Sequence, residues 1–278
     1  MKMKNKIAII ILTFNSEKII KRTIKAAQKI SKQIIILDSF STDKTIEIVK
    51  NLKCKVYKRK FINYSDQRNY AIKMCNKSYK WQLHIDSDEV LSEQLIKNIN
   101  DVLKRDIRNK SYIIKRHVYF MNRKLLFGAT SNWHLRLFPS KSTVCENKKY
   151  DQHFVSNLVS EKINGSLLDI NSKNLTDWIT IHNKWSTLSS LEKYTKSSKL
   201  TKAKLFGNNI ERTRFIKNIF FKLPIGLKSF FLFFVKYFLL LGFLDGRAGF
   251  IFIFFNTLWF HTLIDAKKFE IIINKNNK

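Results

Sequence analysis

Cysteine, proline and glycine are all scarce in this chain: three, two and seven residues among 278. Cys54, Cys75 and Cys145 stand far apart, form no C-x-x-C pair and have no histidine at ligand spacing. That excludes a disulfide framework and a zinc site, and suits a reducing compartment. No internal repeat and no low-complexity linker interrupts the sequence. Acidic side chains are the next shortage, with 21 Asp plus Glu against 52 Lys plus Arg and a formal net charge of +31. A surface of that sign attracts nucleic acid, anionic lipid or phosphorylated glycan. Part of the excess is compositional, because Lys, Asn and Ile crowd the whole chain as in a protein from an AT-rich genome. Nucleic acid is the weakest of the three partners, since the basic residues are dispersed rather than striped and no recognised binding motif accompanies them.

What the chain does have is apolar material, 45% of its residues, enough for one ordinary domain with an appended segment. Met1 to Lys6 followed by apolar Ile7 to Leu12 imitates a signal peptide. Polar Asn15-Ser16-Glu17-Lys18 follows without a small-residue cleavage site, so the run reads as a buried first strand. Ser16 then caps a helical segment with Ile20, Ile24 and Ala27 on one face. The alternation repeats: strand Gln33 to Asp38 and helix Ser41 to Leu52, then strand Lys55 to Arg59 and helix Asp66 to Cys75. Strand Trp81 to Ile85 precedes a helix opened by Ser92. Four βα units predict a parallel sheet wound by helices. Long strand-like runs, Tyr112 to Met121 and His134 to Phe138, predict mixed or antiparallel additions. Trp178 to about Phe206 reads as a polar helix.

In such sheets ligands bind beyond the carboxyl ends of the strands. Asp38-Ser-Phe-Ser-Thr-Asp43 is a hydroxyl-rich turn there, able to accept hydrogen bonds from a base or ribose through Asp38 and Asp43, or simply to cap a helix. His84-Ile-Asp-Ser-Asp-Glu89 is sharper. Asp86 and Asp88, two hard oxygen ligands straight after an apolar strand, suit Mn²⁺ or Mg²⁺ with a diphosphate completing the shell; the bland reading is another capped turn. Asp169, Asn171, Trp178, His182 and Asn183 form a second polar group that could contact an acceptor, although His182 reads equally as a satisfied helix histidine. Arg136 could fork onto an acceptor phosphate or form a structural ion pair.

Taken in order, Ile9-Ile-Ile-Leu-Thr-Phe-Asn15, Asp38 to Asp43, Ser65-Asp-Gln-Arg-Asn69 and Asp86-Ser-Asp88 resemble family 2 glycosyltransferases of the GT-A fold. Trp133-His-Leu-Arg-Leu-Phe138 and Leu241-Gly-Phe-Leu-Asp-Gly-Arg-Ala-Gly249 are similar to the branch containing lipopolysaccharide-core glucosyltransferases, so the resemblance covers nearly the whole chain. It implies a nucleotide-diphosphate sugar donor, a UDP-sugar, read at the base by Asp38 with Thr13, Asn15 and Arg68 in the same pocket. It also implies that Asp86 and Asp88 face the metal and diphosphate, and that transfer is inverting. The chain departs from that branch after the Arg-Leu-Phe strand, where Asp151-Gln-His-Phe154 puts Phe in place of the Glu of a Val-His-Glu triplet. Asp151, with His153 beside it, is then the nearest candidate base; both could instead be surface loop residues.

The expected organisation is a nucleotide-sugar-binding half at 1–110, an acceptor-binding half with a helical extension at 111–206, and a basic, apolar segment at 207–278. In the last, Ile225 to Leu241 and Gly249 to Ile264 are each at or below the roughly 17 to 25 residues a spanning helix needs. Two short helices joined by a Gly-rich turn and lying in one leaflet are favoured over a spanning hairpin, a buried pair or a dimer interface. Lys217, Lys222, Lys228, Lys267 and Lys268 bracket them and suit anionic lipid. The expectation is an α/β enzyme at the cytoplasmic face of the inner membrane. It would move a sugar onto a lipid-linked or lipopolysaccharide-type glycan. Its rivals are a capsule or exopolysaccharide transferase and a catalytically inactive membrane-binding protein of the same fold.

Overall fold

The computed structural model describes residues 5–148, 152–170, 174–194 and 224–276. The chain divides into two compact units, one of residues 1–125 and 130–172, the other of 126–129 and 173–278.

The first unit is built on strand β1 (Asn5–Thr13), flanked in parallel by β2 (Ile34–Asp38) and β4 (Tyr79–Asp86), with β3 (Lys55–Lys58) outside β2. Alternate residues of β1 enter two different cores, which is why its sequence is continuously apolar rather than alternating. Ile7, Ile9 and Ile11 meet Ile20, Ile24 and Ala27 of α1 (Ile20–Gln28) and Leu95 and Ile99 of α4 (Glu93–Arg105). Ala8, Ile10 and Leu12 meet Ala71 and Cys75 of α3 (Tyr64–Cys75). The four parallel strands read from the sequence are thus present, with α2 (Thr45–Asn51) between β2 and β3.

Beyond β4 the sheet turns mixed. β8 (Asn132–Pro139) runs antiparallel to β4 and to β6 (Lys110–Phe120). β11 (Val159–Ile170) lies parallel to β6, and short β5 (Glu89–Leu91) runs antiparallel to β11. Strand β7 (Arg123–Lys124) pairs with β6, while β9 (Thr143–Cys145) and β10 (Phe154–Ser156) form a separate ribbon. The sequence reading missed β5, β7, β9, β10 and β11. A bulge in β11 lets α4 approach: Gly165 has φ +98°, and a Cβ there would lie 2.4 Å from the Leu95 nitrogen. At the start of α4, Ser92 accepts hydrogen bonds from Leu95 N and Ser166 N.

Three helix starts differ from expectation. Ser16 does not cap α1, whose N-cap is Ile19 without a side-chain bond, because the Ser16 hydroxyl is engaged with Ser87 at 2.8 Å. The second helix begins at Thr45 rather than Ser41, since Ser41 and Thr42 are held by Asp38 and Asn15. The third begins at Tyr64, capped by Asn63, whose side chain accepts from Asp66 N.

In the second unit α5 (Leu175–Tyr194) begins three residues before the expected start at Trp178; the expected continuation to Phe206 lies outside the described residues. α6 (Leu227–Phe234) widens into a π-helical turn, Val235–Leu239. A 3₁₀ turn, Gly242–Asp245, leads into α7 (Gly246–Ile253), a second π segment, Phe254–Trp259, and α8 (Phe260–Asn276). The expected short second helix, Gly249 to Ile264, is therefore one run of 34 residues, Gly242–Lys275, long and apolar enough by length and composition to cross a membrane. Counting only apolar residues cut the helix short, because its last turns, from Asp265 on, carry charged and polar side chains.

Candidate functional site

Strand register brings the first candidates together. Leu12 pairs with both Leu37 and Asp86, and Thr13 with Asp38, so the carboxyl ends of β1, β2 and β4 share one edge. Asp38 is fully buried, its two oxygens accepting from the backbone N–H and hydroxyl of Ser41. Asn15, at φ 47°, ties the neighbouring loop to it: its N–H donates to the Ser41 hydroxyl at 2.9 Å and its side-chain oxygen accepts from Thr42 N at 2.8 Å. Asp43 accepts from Glu17 N and Thr45 N; burial pushes its pKa up, but these hydrogen bonds prevail and hold it below the usual range. The hydroxyl-rich turn is thus a closed hydrogen-bonded latch. The Thr13 hydroxyl, buried beside it, has no hydrogen-bond partner.

The acidic motif after β4 sits in a cluster of buried charges. Arg68, on α3, donates to both oxygens of Asp86 at 2.9 and 3.1 Å. Arg136, on β8 and 5% exposed, donates to Glu89 at 2.6 Å and to Asp86 at 3.3 Å. Glu89 closes the loop by accepting from Asp86 N at 2.9 Å. Arg116 of β6 lies 3.4 Å from Asp169 of β11. Three guanidinium groups therefore face four carboxylates: Asp86, Asp88, Glu89 and Asp169.

The uncompensated charge falls on Asp88. Burial, together with the Asp169, Asp86 and Glu89 carboxylates, drives its pKa well above the usual carboxylate range. Asp86 is the opposite case: burial would raise it, but Arg68, Arg136 and Arg116 outweigh that and hold it at about 2. Proximity to several carboxylates with no paired cation is what a divalent ion relieves. Among the described residues no group of three or more His, Cys, Asp or Glu side chains could hold a metal alone. The donor set fits a hard cation held by Asp88 and completed by oxygens of a bound diphosphate, the way magnesium is commonly held. Asp86, clasped by two arginines, is less available as a ligand than its spacing suggested.

Around this cluster the nitrogens are kept neutral or aimed inward. His84 stacks on Phe138 with centroids 5.2 Å apart, and burial, then Arg68 and Arg136, keep its pKa well below 6.5. His134 is lowered to about 3, by burial and then by Arg136 and Arg116. Arg68 Nη1, Arg116 Nε and Arg136 Nε are buried without a hydrogen-bond partner. Each is a charged donor able to meet a ligand oxygen.

Of the candidate bases, Asp151 lies outside the described residues. His153 is exposed, its ring stacked on His134 at 6.3 Å and its N–H donating to Glu146. Phe154, at the position where a Glu was expected, packs against both His84 and Phe138, with the Arg68 guanidinium 5.1 Å from its ring centre. The expected acceptor group divides. Asp169 belongs to the charge cluster, and Asn171 lies outside the described residues. His182 and Asn183 sit on α5 of the second unit, where His182 Nδ1 is 2.8 Å from the Trp178 carbonyl and Asn183 accepts from Lys267. Glu89 and Arg116 were not singled out from the sequence. Glu89 stood in plain view at the end of Asp86-Ser-Asp-Glu89, whereas nothing local marks Arg116.

A wound, mixed sheet with a polar edge at the carboxyl ends of its parallel strands and an acidic pair after its fourth strand defines a class of group-transfer domain, and the comparisons name it. The glycosyl transferase family 2 model matches residues 8–164, more than half of the chain, and the chain belongs to that family, with a GT-A-like mixed fold. An uncharacterized glycosyltransferase of Rickettsia typhi is 32% identical over 139 residues, 49% of this chain and 47% of that protein. Another, of Rickettsia bellii, is 31% identical over 150 residues, 53% of this chain and 48% of that protein. The matched stretch spans about half the length of these curated relatives. Among solved structures, S. aureus TarS 1–349 superposes with a TM-score of 0.46 at 14% identity, covering 95% of this chain and 88% of that one. Mycobacterium tuberculosis glucosyl-3-phosphoglycerate synthase with Mn²⁺ and UDP-glucose gives 0.32 at 17% identity, covering 42% and 44%.

Proposed function

We propose that the protein is a metal-dependent, inverting glycosyltransferase that moves a sugar from a UDP-sugar to a membrane-linked glycan acceptor in lipopolysaccharide or other cell-surface polysaccharide synthesis. Its place is the cytoplasmic face of the inner membrane. The observation that carries this reading is Asp88, a half-buried carboxylate crowded by Asp86, Glu89 and Asp169 at the carboxyl edge of the parallel strands. A divalent ion there would neutralise the leaving diphosphate.

The remaining work falls to the chain's own groups. Asp38 holds the Ser41–Thr42 turn that meets the base and ribose, and the guanidinium groups of Arg68 and Arg136 supply positive charge toward the diphosphate. The acceptor oxygen bonds to the anomeric carbon as the bond from that carbon to the diphosphate oxygen breaks. Its proton goes to a base at Asp151 or His153, and the nucleoside diphosphate departs. Phe154, packed on the Arg68 guanidinium, shields it from water.

The test is release of UDP from a panel of UDP-sugars with Mn²⁺ or Mg²⁺, with membrane extract as acceptor. The wild type should turn over at least one donor in a metal-dependent way. Asp88→Ala should lose roughly a hundredfold or more, and chelation should abolish the rest. No turnover of any nucleotide sugar would favour the inactive membrane-binding protein, the reading that Phe154 supports. A soluble capsule precursor outperforming the membrane extract would favour the capsule transferase.

A further inference from the structure

The second unit carries a run of exposed apolar side chains at the joint between α6 and the long helix. Phe234, Phe238, Leu239, Leu240, Leu241 and Phe243 all face outward, Leu239 to 63%. The joint is firmly built. Leu240 N donates to the Val235 carbonyl, and the Leu240 carbonyl accepts from Gly128 N, both at 2.8 Å. Leu241 turns the chain at φ 58°. A Cβ on Gly242 would lie 2.7 Å from the Lys236 carbonyl, so only glycine lets the turn close this tightly. Asp245, 2% exposed, is held from beneath by the N–H groups of Leu126 and Phe127.

The helix that follows could cross a bilayer by length, but its second half is already committed. Lys228 of α6 forms a buried ion pair with Asp265 of α8. Lys267 donates to the Asn183 carbonyl and side chain and to the Ser186 and Thr187 hydroxyls of α5, all within 2.9 Å. α5 exposes Thr176, Asp177, Thr180 and Lys184, groups a hydrocarbon interior does not accept. Crossing would carry α5 in or break these bonds.

We propose that this joint enters a single leaflet of an anionic bilayer as an apolar wedge, and that the long helix does not cross. Charge selects lipid as the occupant. Between residues 224 and 264 the sole acidic residue is Asp245, which is buried, while half-buried Lys236 lies within the wedge and exposed Arg247 follows it on a chain of net charge +31. This deepens the membrane part of the function proposed above and is independent of the chemistry.

The test is flotation of the purified full chain with phosphatidylcholine vesicles, with and without phosphatidylglycerol. The wild type should float with the anionic vesicles. Leu239→Glu with Phe243→Glu, both exposed and so compatible with an unchanged melting temperature, should lower the bound fraction roughly tenfold or more. Phe269→Glu, exposed on α8 away from the wedge in sequence, should not. An impermeant maleimide should label Asn274→Cys only after spheroplasts are permeabilised, with the unsubstituted chain giving the native-cysteine background. Flotation undiminished in the double variant, labelling in intact spheroplasts, or light scattering showing a dimer that the double variant dissociates without any vesicle binding would each overturn the wedge. UDP release in solution, read on the same double variant, reports the transferase proposal separately.

Discussion

Replacing Arg136 by Met keeps much of the stem's volume but strands Glu89. The guanidinium lies 2.6 Å from Glu89, with side-chain exposures of 6% and 1%, and burial, helped by the Asp86 carboxylate, already pushes the Glu89 pKa up against the pull of Arg136. Removing one partner of a buried pair costs about 3–5 kcal/mol. An independent bound comes from proton linkage. A carboxylate whose folded pKa lies above its unfolded value favours the folded state at low pH, and loses that advantage as pH rises from the unfolded pKa through the folded one. One proton is worth about 1.4 kcal/mol per pH unit, so between pH 5 and 8 the extra loss is capped near about 4 kcal/mol. The two figures agree. Urea unfolding of the full chain in chelator should show Arg136→Met strongly destabilised at pH 8 and much less at pH 5. Adding Glu89→Gln should remove the pH dependence. Asp86 keeps its two bonds from Arg68 and should contribute little to the difference. A deficit below about 1 kcal/mol at pH 8, or one that does not change with pH, would refute the argument.

Gly165→Ala should cost about 2–5 kcal/mol, from positive-φ strain and from the α4 backbone it would strike, seen as a lower melting temperature. Asp106→Ala removes the acceptor of the buried Trp81 indole N–H, 2.9 Å away, and should cost about 1–3 kcal/mol in urea unfolding. Burial raises the Asp106 pKa, but hydrogen bonds from Lys80 and Trp81 outweigh it and hold it low, so the wild type should lose this contribution only as pH falls below the ordinary aspartate range, and Asp106→Asn should lack that acid limb. His134, held at about 3, should show no imidazole titration above pH 5 by NMR.

The parallel half of the sheet was legible because each of its strands is a short apolar run closed by polar residues, a pattern that survives without knowledge of the partners. The four motifs were legible for the same reason: each is local. What could not be read depends on register. Asp169 joins Asp88 because β11 pairs antiparallel with β5, placing Asp169 opposite Glu89, and no spacing in the sequence encodes that pairing. Arg136 was open between ion pair and phosphate ligand until β8 placed it against Glu89. Ser16 misled because a serine before an apolar periodic run looks like a cap even when its hydroxyl is engaged elsewhere, here with Ser87. The long helix misled because helix length is fixed by backbone bonds, whereas the eye counts hydrophobes.

The second unit is not continuous in sequence: Leu126 to Ala129 belong to it, although residues on both sides of them belong to the first. A protein that had acquired an apolar tail by simple fusion at its C-terminus would carry no such insert. Cutting the chain near residue 173 would therefore leave the Leu126 and Phe127 amides without the Asp245 carboxylate that receives them. Exchanging the tail with that of a relative would likewise require exchanging the four-residue segment between β7 and β8 along with it.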